Sequence, residues 1–155
     1  MTIGEVANSM RTVYFVTHPD VIIDPAIPVP RWSLSSRGVE RMQALLAKPW
    51  IRNISAIYCS TEQKAVDGAE ILSARLSIRY EMLDELGEID RSSTGYLPQD
   101  KFKATVDAFF ANPDRSILGA VREEEAQQRI VRAVATALDH DTSDRDIAIV
   151  SHDGV

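Results

Sequence analysis

Ile54-Ser55-Ala56-Ile57-Tyr58-Cys59-Ser60-Thr61-Glu62-Gln63-Lys64-Ala65-Val66-Asp67-Gly68-Ala69-Glu70-Ile71-Leu72 is the stretch that decides the fold. Its first half, Ile54 to Tyr58, is a short apolar run with β-branched and aromatic residues, which predicts a buried strand. At Cys59-Ser60 the period changes. Ser60 with Gln63 three residues on fits a capping box that puts Ser60 at the N-cap of a helix. Ala65, Ala69, Leu72 and Leu76 then recur at helical spacing. A strand running directly into an amphipathic helix is half of a βαβ unit.

The same alternation extends outward from this unit. Thr12 to Val16 predicts another buried strand, ending at Thr17-His18-Pro19, where Pro19 cannot extend a central strand. Asp20 to Trp32 carries Pro25, Pro28 and Pro30 and reads as an extended loop. Ser35 is an N-cap candidate for a helix with Val39, Met42, Leu45 and Leu46 on its apolar face, ended by Pro49. Arg79 to Leu83 is a weaker strand, followed by an acidic stretch to Asp90. Phe102, Val106, Phe109 and Phe110 mark a third helix, stopped near Asn112-Pro113. Val121 to Leu138 is a fourth, with Val121, Ile130, Val131, Val134 and Leu138 mostly on one face. Ile147 to Val150 is the last clear strand and runs into Ser151-His152. The predicted class is α/β: three layers, a mostly parallel sheet with helices on both faces, in a single domain over 1–155 whose first eleven residues form a loose arm.

Composition narrows the function. The 155-residue chain has a formal net charge of −6, which disfavours nucleic acid and anionic membranes as partners. No apolar run is long enough to span a bilayer, and Met1 to Arg11 lacks a signal-peptide core, so the expected location is the cytoplasm. A single cysteine, Cys59, allows no intrachain disulfide and reads as a buried structural thiol.

In parallel α/β sheets ligands bind beyond the carboxyl ends of the strands. Three predicted strand ends carry chemistry there: His18, Ser60 with Lys64, and His152. An imidazole with one ring nitrogen donating to a carbonyl or carboxylate has its other lone pair free for attack on phosphorus. A transferring phosphoryl group needs cations or helix N-termini facing its oxygens, and Lys64, His152 and the helix start at Thr61–Gln63 are candidates. Glu88 is the candidate general acid for the leaving alkoxide, with Glu85 and Asp90 as competitors. His140-Asp141 and His152-Asp153 are pairs of the kind found in metal phosphohydrolases, but the remaining ligand spacing is absent, and no metal is expected.

These residues, in this order, resemble the histidine phosphatase superfamily, which includes the cofactor-dependent phosphoglycerate mutases. Thr17-His18-Pro19 is similar to that family's Arg-His-Gly. Leu34-Ser35-Ser36-Arg37-Gly38 is similar to its Leu-Thr/Ser-x-x-Gly. Ser60 to Glu70 is similar to Ser-Pro-x-x-Arg-Ala-x-x-Thr-Ala-Glu, Leu86-Gly87-Glu88 to Leu-x-Glu, and Val150-Ser151-His152-Asp153-Gly154 to Val-Ser-His-Gly-Gly. The resemblance implies a phosphoric monoester hydrolase acting on a small phosphorylated substrate through a phosphohistidine at His18, with no cofactor. It implies Glu88 and His152 as further catalytic residues.

Three departures from the family pattern stand out. Thr17 replaces the arginine before the nucleophile, and Lys64 replaces the second arginine, so both bidentate forks are lost, although the resemblance still implies Thr17 and Lys64 as phosphate-binding positions. Each lost donor is worth roughly 2–4 kcal/mol of transition-state stabilisation. Arg31 and Arg91 are candidates to restore a phosphate-binding cation. The chain stops at Val155, where the resemblance implies a further helix and strand. Their lack predicts a bare sheet face suited to a homodimer. The alternative to an enzyme is a catalytically impaired pseudophosphatase that binds phospho-ligands or proteins.

Overall fold

A computed structural model describes residues 11–88, 99–111, 123–141 and 143–153. Among these residues four strands form one parallel sheet: β1 (Val13–Thr17), β2 (Ile54–Cys59), β3 (Tyr80–Met82) and β4 (Asp146–Ser151). Among the described residues four α-helices accompany them: α1 (Ser36–Leu45), α2 (Gln63–Leu76), α3 (Gln99–Ala111) and α4 (Glu123–His140). The strand order is β1-β4-β2-β3, so the last strand in the chain is inserted between the first two. The register pairs Thr17 with Ser151 and Cys59 with Val150, which aligns three strand ends on one rim.

The sheet has a separate core on each face, as a three-layer α/β domain requires. On one face Met42 of α1 and Ala65, Ala69 and Leu72 of α2 pack with Ile57, Cys59, Ala148 and Val150. Small residues let α2 approach closely: a Cβ on Gly68 would stand 3.2 Å from Val150 Cγ1. On the other face Ala133 and Ala137 of α4 pack with Tyr58, Leu86, Ile147 and Ile149. β4 is buried along its whole length because it is covered on both faces and paired on both edges.

Helix α1 begins as the sequence predicts. The Ser35 side chain caps it by accepting the N–H of Gly38 at 3.1 Å. Ser35 also donates twice to the carbonyl of Asp20, from its N–H at 2.9 Å and its hydroxyl at 3.2 Å. Gly38 is required by this contact, since a Cβ there would lie 2.1 Å from the Asp20 carbonyl oxygen. The Leu-Ser-x-x-Gly segment therefore clamps the chain two residues after His18.

Three expectations need correction. β1 is a half-buried strand rather than a buried one: Tyr14 and Val16 face the α1/α2 core, while Phe15 is 41% exposed. Among the described residues it is an edge strand, and α4 reaches only Val13 on its far face. Second, α2 starts at Gln63 with Glu62 at the N-cap, and Ser60 does not close a capping box. The Ser60 hydroxyl instead accepts the N–H of Glu62 at 3.2 Å and hydrogen-bonds His152, which delays the helix. Third, Val131 is 59% exposed; the buried face of α4 runs through Ala126, Ala133 and Ala137, with Ile130 and Val134 at its margin. The helix approaches most closely the 3₁₀ turn Asp84–Leu86, whose Leu86 packs into the same core. The predicted start of this helix at Val121, the arm before Arg11, the end of the acidic stretch at Asp90, and Arg91 lie outside the described residues.

Candidate active site

The parallel sheet delivers His18, Ser60 and His152 from three adjacent strands, with His152 in the middle. Backbone hydrogen bonds lock the rim: His18 N–H donates to Ser151 O at 3.1 Å, and Ser60 N–H to Val150 O at 3.1 Å. Ser151 Oγ donates to Leu86 O at 2.6 Å, which ties the segment before Glu88 to the same edge.

The His18 ring is partly buried, and its Nδ1 lies 2.9 Å from the carbonyl oxygen of Pro19. A carbonyl only accepts, so Nδ1 is the donor, and in the neutral ring Nε2 keeps its lone pair. The His18 and His152 rings meet edge to face, with centroids 5.1 Å apart and planes at 66°. His152 is buried, and its Nε2 shares a hydrogen bond of 2.7 Å with Ser60 Oγ. The same Nε2 lies 3.4 Å from Glu62 Oε2, and Nδ1 lies 4.0 Å from Glu88 Oε2.

Lys64 is only 2% exposed, which a first-turn helical lysine rarely is. Its ammonium sits 3.1 Å from Glu62 Oε2 and 3.6 Å from Glu88 Oε2, and donates to Val29 O at 3.3 Å. The ligand atoms of Glu62, Glu88 and His152 lie within 4.8 Å of one another, a grouping of metal-site dimensions. The positive charge already placed among these carboxylates is the Lys64 ammonium.

The sequence candidates thus divide. His18, His152, Lys64 and Glu88 converge. Glu85, on the 3₁₀ turn Asp84–Leu86, is exposed. Thr17 is also exposed, and strand alternation turns it to the side of Val13 and Phe15, away from α1 and α2. Arg31 is exposed on the 3₁₀ turn Val29–Arg31, whose first residue receives the Lys64 hydrogen bond; among the described residues its side chain makes no ion pair. Arg91 lies outside the described residues. His140 and Asp141 sit at the far end of the sheet, where Asp141 pairs with Arg11 at 2.5 Å and accepts from Ser55.

Two residues escape the sequence pattern. Glu62 is hidden inside a presumed capping box, although an acid two residues before a cation at a helix start was a usable signal. Arg129 of α4 donates to the backbone carbonyl of Glu88 at 3.4 Å and so braces the acid segment. Its signal was a basic residue bordering the apolar face of α4. Cys59 is fully buried below the rim, and burial pushes its thiol up to about 12, so it is no nucleophile.

The carboxyl edge of this parallel sheet thus gathers two facing histidines, a buried cation and an acid. Residues 29–155 match the profile of the histidine phosphatase superfamily (branch 1), and the chain belongs to that superfamily. The match begins after His18, so the position of that histidine rests on its place in the sheet. No curated protein matches the chain in sequence. Among solved structures it resembles the mycobacterial glucosyl-3-phosphoglycerate phosphatase, with a TM-score of 0.75 and 18% identity over 92% of this chain and 74% of that one. The complex of that enzyme with inorganic phosphate aligns with a TM-score of 0.75 and 19% identity, over 92% and 73%. The alpha-ribazole phosphatase from Shigella flexneri aligns with a TM-score of 0.69 and 17% identity, over 90% and 73%. At these identities the likeness establishes a shared fold. No helix among the described residues is long and apolar enough to cross a membrane.

Proposed function

We propose that the protein is a phosphoric monoester hydrolase that works through a phosphohistidine at His18 on a small phosphorylated substrate. The observation that carries this is the His18 ring: Nδ1–H is held by the Pro19 carbonyl at 2.9 Å, which leaves Nε2 nucleophilic beside His152. Attack by Nε2 forms an N–P bond as the ester P–O bond breaks. Glu88 gives its proton to the departing alkoxide. Water then attacks the phosphohistidine, Glu88 takes back a proton, and the N–P electron pair returns to Nε2. Lys64 and His152 supply positive charge to the phosphoryl oxygens. Inorganic phosphate and VO3 have both been bound to the mycobacterial relative, which supports phosphate as the ligand of this rim.

The test is phosphate release from an aryl phosphate by wild type and His18→Ala. Turnover that vanishes in the variant, with unchanged circular dichroism, is the expected result. Equal rates in both proteins refute the histidine mechanism.

A further inference from the structure

The proposed phosphate pocket already contains an anion. Glu62 Oε2 is shielded from solvent and accepts no conventional hydrogen bond; its partners are Lys64 Nζ at 3.1 Å and His152 Nε2 at 3.4 Å. Glu62 also occupies the N-cap of α2, where exposed N–H dipoles favour negative charge. The two side chains on this part of the rim that could bind a phosphoryl oxygen, Lys64 and His152, therefore both face the carboxylate of Glu62. Lys64 is shared further with Glu88 at 3.6 Å.

Resting on the phosphate-site reading above, we infer that Glu62 is a built-in competitor that sets the anion affinity of the site. Phosphate and the Glu62 carboxylate need the same two partners, Lys64 and His152, and cannot both hold them, because two anions placed this close repel. Binding requires Glu62 to swing outward. The movement is small, since Glu62 precedes the first helical residue and a rotamer change carries its carboxylate toward solvent. The resident carboxylate selects for ligands whose phosphate can displace it and weakens binding of simple inorganic phosphate.

Glu62→Gln tests this, as it keeps size and polarity but deletes the charge. Inorganic phosphate binding is measured by isothermal titration for wild type, Glu62→Gln, Glu62→Ala and Lys64→Met, with Glu40→Gln on the exposed face of α1 as a control for net charge. The expected result is affinity raised at least about tenfold in both Glu62 variants and unchanged in Glu40→Gln. The Ala variant keeps the test decisive if Gln re-forms the contacts as a neutral partner. If Lys64→Met abolishes binding while the Glu62 variants bind like wild type or more weakly, the competitor role is overturned and the phosphate site stands. Binding that ignores Lys64 and Glu62 alike overturns both.

Discussion

Lys64→Met is the substitution with the most to lose. It keeps the length and apolar stem of the side chain and removes only the ammonium. The Glu62 and Glu88 oxygens, within 4.8 Å of each other, are then left without the cation between them. Removing one partner of a buried ion pair costs roughly 3–5 kcal/mol, because the remaining charge is uncompensated. The Glu62 and Glu88 side chains keep 14% and 17% exposure, and water screens part of that loss. About 2–4 kcal/mol is the resulting expectation. For a domain of this size that lowers Tm by about 5–15 °C. Thermal denaturation followed by circular dichroism at pH 7 measures it, with urea unfolding as a second readout. The double variant Lys64→Met/Glu62→Gln should recover a large part of the loss, since one orphaned carboxylate is gone. A Tm for Lys64→Met within about 2 °C of wild type, the range of an ordinary surface substitution, would refute the argument that this cluster is a coupled buried unit.

Gly38→Ala should lower stability by more than about 2 kcal/mol, because its Cβ falls 2.1 Å from a backbone oxygen that cannot rotate away; the same denaturation assay checks it. Thr17→Arg should raise aryl phosphatase turnover by an order of magnitude or more, by returning a charged donor to the rim; the rate assay decides it. Asp146 is held below the usual carboxylate range by the Asn53 side chain and the Thr12 N–H. Its contribution to stability is therefore present above about pH 4 and lost as pH falls through the lowered value. Urea unfolding of Asp146→Asn against wild type should show a gap at pH 7 that narrows as the pH falls below about 4. Cys59, at about 12, should resist alkylation by iodoacetamide at pH 8 in the folded protein and react after denaturation, as read by mass spectrometry.

Much of the fold was legible because its signals are local. The period change at Cys59-Ser60 located β2 and α2, and Ser35 with Gly38 located the start of α1. The errors came where a local signal had a distant competitor. Ser60 looks like an N-cap in sequence, but its hydroxyl is claimed by His152, ninety-two positions away. Val131 has the right chemistry for a core, but α4 meets β4 through alanines a turn away on another side of the helix.

The sequence by itself determined that apolar strands end in His18, Ser60 and His152, and that Lys64 and Glu88 stand close behind strand or turn boundaries. These follow from periodicity, proline and capping chemistry, which act over a few residues. Only the tertiary structure decided that β4 enters between β1 and β2, since strand order depends on pairings between distant segments. That insertion puts His152 between His18 and Ser60. It also closes the ion cluster of Glu62, Lys64, Glu88 and His152, whose energies depend on distances of 3–4 Å that no spacing in the chain encodes.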